Sequence, residues 1–184
     1  MSNSLTDIFN QLTGVLKQDA ITWLFQEYAA LQAMPQKLAT QRQGITMVLA
    51  DVPASDATNL NAMAQASSAN TNLSWQYPTM IGAVNAAYQS AQQLTATGVS
   101  SATATNAAGI AQTIYTAQQF MQGVSDVDAT IKGVIDALLS SGAISPTEAG
   151  RLYAQAQAAN SGWLQYVLYA AIAYVAFRLV RKVL

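Results

Sequence analysis

Residues 107–138 read AAGIAQTIYTAQQFMQGVSDVDATIKGVIDAL, in which apolar residues recur alternately three and four positions apart. This spacing is the heptad pattern of a helix that packs along one seam. The candidate bundle or oligomer contacts along the seam are Ile110, Ile114, Met121, Val124, Asp128, Ile131, Ile135 and Leu138. Asp128 is the polar exception. It either specifies the register of the bundle or marks a helix break between Gly123 and Asp128.

The rest of the chain also has the pattern of helices, and no segment favours a sheet. Ala, Gln, Leu and Met are frequent, which favours helix formation. We expect helices to kink or end at Pro35, Pro53 and Pro78. The stretch SPTE at 145–148 starts a further helix, with a capping serine, a first-turn proline and a glutamate.

These patterns predict an all-α fold, an elongated helical bundle or a set of helical hairpins with a C-terminal transmembrane helix. We divide the sequence into an N-terminal helical region (1–53) and a region of uncharged polar helices (54–142) that contains the seam. The third region (145–184) is a long capped helix that ends in a membrane segment (163–180).

The C-terminal residues 163–184 read WLQYVLYAAIAYVAFRLVRKVL. A helix over 163–180 would extend about 27 Å, just short of a hydrocarbon core of about 30 Å. Its apolar and aromatic residues are Trp163, Leu164, Tyr166, Leu168, Tyr169, Ile172, Val175, Phe177, Leu179 and Val180. Arg178, Arg181 and Lys182 would contact lipid headgroups, or nucleic acid if the membrane lies inside a particle. The alternatives are an interfacial helix and a helix buried in a protein core or oligomer interface.

Residues 57–125 contain no Asp, Glu, Lys or Arg. Ala, Ser, Thr, Asn and Gln fill the positions between periodic apolar residues, so these helices expose amides and hydroxyls instead of charges. Such helices suit packing against copies of themselves, or the wall of a wet passage that neither repels nor traps a polyanion. The alternatives are an ordinary surface of low charge and a low-complexity segment.

The chain has no cysteine and no histidine, which excludes thiolate sites, the usual zinc ligands and Ser-His catalysis. Asp126 with Asp128, and Asp51 with Asp56, could hold a divalent cation, but turn and cap roles explain them more simply. Glu27 is expected opposite the apolar residues of its helix. We therefore predict no enzymatic activity, no cofactor, no metal site and no small-molecule substrate.

The N-terminus, MSNSLTDIF, lacks the cationic and apolar regions of a secretory signal peptide. The basic C-terminal flank favours a C-terminus on the cytoplasmic side, whereas a helical domain without a signal would remain in the cytoplasm. A hairpin-like or interfacial insertion of the tail, placement by an assembly process, or crossing of residues 1–160 as part of an oligomeric device would resolve this conflict. We expect a membrane-associated protein, in a host cell membrane or a virion membrane.

Together these features predict a membrane-anchored, self-assembling helical structural protein. The expected role is a conduit or tube component of a virion, for DNA delivery, or of a secretion or transfer apparatus. The amide-rich composition without histidine or cysteine resembles that of phage ejection and tube proteins. Expected partners are the lipid bilayer, further copies and other assembly proteins, with passing contact to nucleic acid. The alternatives are a holin-like or pore-forming membrane protein and a helical adaptor whose apolar tail is buried in a partner.

Overall fold

The computed structural model describes residues 17–97 and 102–155, and every regular element in these ranges is an α-helix. The helices are α1 (Lys17–Gln32), α2 (Met34–Asp51), α3 (Ala57–Thr97), α4 (Ala102–Ser140) and α5, which begins at residue 146 and is described as far as residue 155. The prediction of an all-α fold is confirmed. Within the described ranges no helix combines the length and apolar character needed to cross a bilayer. The predicted transmembrane helix lies outside them.

Capping groups set several of the helix ends. The backbone N–H of Asn59 donates to Asp56 Oδ1 at 3.1 Å, so Asp56 caps the start of α3. The backbone N–H of Glu148 donates to Ser145 Oγ at 3.1 Å at the start of α5, as the SPTE stretch predicts. Gly142, with φ of 74°, lies in the turn after α4, where a residue with a side chain would be strained.

α3 continues through Pro78, so the predicted helix end at this proline is wrong. Pro78 has no N–H to donate to the carbonyl of Ser74, and an interior proline costs roughly 3 kcal/mol. The apolar spacing continues on both sides of it, and Leu73 and Val84 are both buried. Burial on both sides of the proline therefore outweighs the one lost hydrogen bond. At Pro35 the prediction is confirmed, because α1 ends at Gln32 and the proline lies in the first turn of α2.

The chain forms two compact units. Among the described residues, unit 1 comprises 17–32, 77–97 and 102–121, and unit 2 comprises 33–76 and 122–155. The buried apolar residues of unit 1 are Leu24, Leu31, Val84, Ala87, Ile110, Ala111, Ile114, Ala117 and Phe120. Those of unit 2 include Leu38, Ile45, Val48, Met63, Leu73, Val124, Ile131, Ile135, Leu138 and Leu152. The three consecutive regions predicted from the sequence stay a prediction.

Candidate functional site

Asp128, the polar residue of the seam, lies at the centre of a polar network inside unit 2. Lys37 Nζ lies 2.7 Å from Asp128 Oδ2. Gln41 Nε2 donates to Asp128 Oδ1 at 2.7 Å and to the carbonyl oxygen of Val124 at 2.7 Å. Both carboxylate oxygens of Asp128 are therefore paired with groups on α2. α4 runs through this point without interruption, so a helix break between Gly123 and Asp128 is wrong.

The network extends to a third helix through Asn70 on α3. Asn70 Nδ2 donates to Gln41 Oε1 at 3.1 Å and to the carbonyl oxygen of Leu38 at 3.0 Å. Lys37, Gln41 and Asn70 are 8%, 2% and 1% exposed. Because a buried polar group is costly unless it is paired, a shift of one helix along another would leave several such groups unpaired. This geometry supports a role of Asp128 in the register of α2, α3 and α4 within unit 2.

The other seam residues lie mostly in the cores of the two units. Ile110 and Ile114 are buried in unit 1, and Val124, Ile131, Ile135 and Leu138 are buried in unit 2. Met121 is half-buried. The buried seam residues are thus covered by the chain itself. Contact of the seam with another molecule stays a prediction.

The described surface of unit 1 carries no charged side chain. The described side chains of the unit, in 24–32, 77–90 and 108–121, include one carboxyl group and no Lys or Arg. The uncharged surface of unit 1 is formed by Phe25, Gln32, Pro78, Thr79, Gly82, Ala83, Ala86, Gln89, Ser90, Ala108, Gly109, Gln112, Thr116 and Gln119. Phe25 is 51% exposed, with its ring centroid 6.3 Å from that of Tyr88. The described surface of unit 1 thus presents alanine, amide and hydroxyl side chains and one large aromatic ring, whereas protein surfaces usually present charged groups.

The one carboxyl group described in unit 1 belongs to Glu27, and it is buried. Only 9% of Glu27 is exposed, so the expectation that it lies opposite the apolar residues is wrong. Burial raises the pKa of Glu27 from 4.5 to about 7, and a hydrogen bond from the Gln118 side chain partly offsets this increase. The sequence does carry a signal for this position. Glu27 is three residues after Leu24 and four before Leu31, which places it on their buried helix face.

The charges of unit 2, by contrast, lie close to opposite charges or hydrogen-bonding groups. Lys132 Nζ is 2.6 Å from Asp136 Oδ2, and Arg151 is paired with Glu148. The hydrogen bond from Lys132 lowers the pKa of Asp136, as that from Arg151 lowers the pKa of Glu148. Trp75 stands out on this unit because it is 81% exposed.

The described residues offer little for catalysis or metal binding. Asp51 is 3.9 Å from Arg151, and Asp56 caps α3, while Asp126 accepts a hydrogen bond from Gln122 on the surface. Neither predicted aspartate pair forms a joint site with a third carboxylate, and no group of three possible metal ligands occurs within the described ranges. An open hollow of about 660 Å³ in unit 2 is lined mainly by amide and hydroxyl side chains of α2, beside Arg42.

No protein-family model, curated protein or solved structure matches this chain. The predicted membrane segment over 163–180, and the cations Arg178, Arg181 and Lys182, lie outside the described residues. Their roles stay predictions from the sequence. The contacts and charges of the two units are therefore the basis on which a function is inferred.

Proposed function

We propose that this protein is a structural protein, without catalytic activity, that assembles with copies of itself through the uncharged surface of unit 1. The observation that carries this proposal is the absence of Asp, Glu, Lys and Arg from that surface. Globular proteins have about a quarter of their residues charged, and mixed surface charge opposes association between copies. A surface that lacks this protection favours contact with further copies of the chain.

The side chains on the uncharged surface suit contact between helices. Gly82, Ala83 and Ala86 on α3 are exposed, and small residues let two helices approach closely. Gln89 and Gln119 are exposed and can donate and accept hydrogen bonds across an interface without the cost of desolvating a charge. The exposed part of the Phe25 ring adds apolar area, and aromatic rings are enriched at protein interfaces.

In this proposal residues 163–180 hold the assembly in a membrane, and the finer role is that of a conduit in a virion or a transfer apparatus. The length and apolar character of that segment support membrane insertion. Neutral amide and hydroxyl groups support a conduit, because a wall without cations does not retain a passing polyanion such as DNA. The lipid bilayer and other assembly proteins are the further partners.

Charge insertion on the uncharged surface tests the assembly. We expect the full-length protein, extracted in detergent, to form oligomers by light scattering coupled to size exclusion, and rings or tubes by electron microscopy. The double variant Gln89→Lys, Gln119→Lys adds two exposed cations to unit 1, so these oligomers should dissociate. The matched control is Gln36→Lys, Gln43→Lys, which adds two exposed cations to α2 beside Lys37 and Arg42.

The control should assemble like the wild type. A monomeric wild-type protein at high concentration would refute self-assembly, and equal assembly of both double variants would refute the role of unit 1. Membrane anchoring is tested separately by carbonate extraction of cell membranes. The full chain should stay in the membrane fraction, and a chain lacking 163–184 should leave it. Dye leakage from cells on expression would instead favour a pore-forming protein.

A further inference from the structure

Glu27 has no cation near it among the described side chains of unit 1. The other titratable side chains within 24–32, 77–90 and 108–121 are phenols: Tyr28 on α1, Tyr77 and Tyr88 on α3, and Tyr115 on α4. A phenol never carries a positive charge and cannot balance a carboxylate. Among the described side chains, an ionised Glu27 would therefore be a buried charge without a compensating cation, which proteins avoid.

Two buried oxygen atoms at this position lack a hydrogen-bond donor. Glu27 Oε2 and Gln118 Oε1 are both buried, and neither accepts a hydrogen bond from a described residue. The two side chains are neighbours, because Gln118 also donates a hydrogen bond to the Glu27 carboxyl group. Two acceptors without a donor at one buried position indicate that a proton or a cation belongs there.

A proton fits this position better than a metal ion does. Hard cations such as Ca²⁺ take about six to eight oxygen ligands, and no group of three possible metal ligands occurs among the described residues. A proton on Glu27 Oε2 needs a single acceptor, and Gln118 Oε1 is available. Together with the hydrogen bond that Gln118 already donates, this would give a double hydrogen bond between a carboxylic acid and an amide.

We propose that Glu27 is a proton-operated latch, whose protonated carboxyl group donates to Gln118 Oε1 and so fastens α1 to α4 in unit 1. When unit 1 opens to water, the proton leaves to solvent and the carboxylate is hydrated. When the unit is closed, loss of the proton leaves a buried charge and two unpaired acceptors. Acidic pH therefore closes unit 1 and alkaline pH loosens it, whether or not the protein assembles.

The size of the effect follows from the change in proton affinity. A pKa raised from 4.5 to about 7 means that the closed unit binds the proton roughly 300-fold more tightly than the open unit. The opening equilibrium of unit 1 should shift toward the open state by up to this factor between a pH well below 4.5 and a pH well above 7. Neutral pH lies at the upper end of this range, so a modest acidification would increase the protonated fraction of Glu27 and favour the closed state of unit 1.

Carbon NMR of the labelled carboxyl groups tests this directly in the full-length protein in detergent. Glu27 and Glu148 are the only glutamates of the chain, so selective labelling of the glutamate carboxyl carbon gives two resonances. The resonance of Glu27 should titrate with a midpoint near 7. The resonance of Glu148 should titrate below the ordinary range for glutamate, because Arg151 lowers the pKa of Glu148. Glu148→Gln should remove the low resonance and Glu27→Gln the high one.

Two glutamate resonances that both titrate at or below 4.5 would overturn the proposal. The titration of the wild type decides this without any variant of Glu27. Repeating it with NaCl or CaCl2 in place of choline chloride, at constant ionic strength, distinguishes a proton from a cation. An unchanged midpoint supports the proton, whereas a midpoint lowered by sodium or calcium means that a cation competes for the site and overturns the latch as proposed.

Discussion

Units 1 and 2 are both built from packed helices, yet they differ in where their charged side chains lie and in how these are paired. Unit 2 holds Lys37 and Asp128 in its interior and pairs them with each other and with Gln41. Unit 1 has no charged group on its described surface and places its one described carboxyl group, that of Glu27, in the interior without a cation. One buried oxygen of unit 2, Asp51 Oδ2, also lacks a hydrogen-bond donor, but the cation Arg151 lies 3.9 Å from it. In unit 1 the buried Glu27 Oε2 and Gln118 Oε1 lack donors, and no cation is among the described side chains of that unit.

This contrast indicates whether the polar groups of each unit are paired within the unit or would gain from contact with another molecule. A fully paired interior network gives one register and needs nothing further. An uncharged surface of amides and small residues gains from contact with another molecule, because its hydrogen-bonding groups can then be paired without desolvating ions. In our proposal unit 2 is the invariant part of the protein, and unit 1 is the part that responds to partners and to pH.

The largest effect that we predict is the loss of the interior ion pair of unit 2. Asp128→Ala would remove the carboxylate that lies 2.7 Å from Lys37 Nζ and accepts a hydrogen bond from Gln41 Nε2, and breaking a buried ion pair costs about 3 to 5 kcal/mol in the free energy of unfolding. Urea denaturation followed by circular dichroism measures it. The control, Asp126→Ala, lies on the exposed side of the same helix and should change stability by less than about 0.5 kcal/mol. Equal effects of the two substitutions would contradict the assignment of the network.

The second prediction concerns the opposite pH dependence of the two units. The pKa of Glu27 is raised in the folded state, so its stabilising contribution is complete below pH 4.5 and is lost as the pH rises to about 7. The change for unit 1 is on the order of 3 kcal/mol. The pKa values of Asp136 and Glu148 are lowered, so unit 2 loses stability instead as the pH falls below the ordinary carboxyl range.

Hydrogen–deuterium exchange separates these responses within one sample. Peptides from 24–32 and 108–121 should lose protection toward neutral pH relative to peptides from 122–140, after correction for intrinsic exchange. Glu27→Gln should remove this difference, because its amide donates to Gln118 Oε1 at every pH. The same pH profile in wild type and variant would show that another group controls unit 1.

A smaller effect is expected from adding a methyl group to α4 in either unit. A Cβ at Gly109 in unit 1 or at Gly133 in unit 2 would meet no atom within 4 Å. Gly109→Ala and Gly133→Ala should therefore each stabilise the helix by about 0.5 to 1 kcal/mol through reduced backbone entropy. Thermal unfolding measures both. A gain at Gly133 without one at Gly109 would mean that the exposed face at Gly109 is covered in the assembled protein.

Elements that depend on local spacing could be predicted from the sequence. The seam in 107–138 indicated the long helix α4, and the SPTE stretch indicated the start of α5. The partners of Asp128 could not be predicted, because Lys37 and Gln41 are far from it along the chain and a helical pattern does not specify which faces meet. The sequence wrongly predicts a helix end at Pro78, because the cost of a proline inside a helix is local and visible in the sequence. The burial that offsets this cost depends on tertiary contacts, which the sequence pattern does not show.

Glu27 shows a different limit of prediction from sequence. Its spacing from Leu24 and Leu31 placed it on a buried face, but a charged residue type favours the opposite expectation. The sequence shows the uncharged stretch 57–125, and the structure adds that the described side chains of α1, in 24–32, bring no Lys or Arg to it. What was missing was the knowledge of which helices enclose the carboxyl group.

The network of unit 2 also bears on the chemical ageing of the protein. Two of its donors are the amide nitrogens of Gln41 and Asn70, and these residues are 2% and 1% exposed. Amide side chains are among the thermolabile groups of proteins. Hydrolysis of either amide would turn a donor into a carboxylate, and at Gln41 that carboxylate would face Asp128. The folded state of unit 2 thus depends on the intact side-chain amides of Gln41 and Asn70, which its own helices bury away from water.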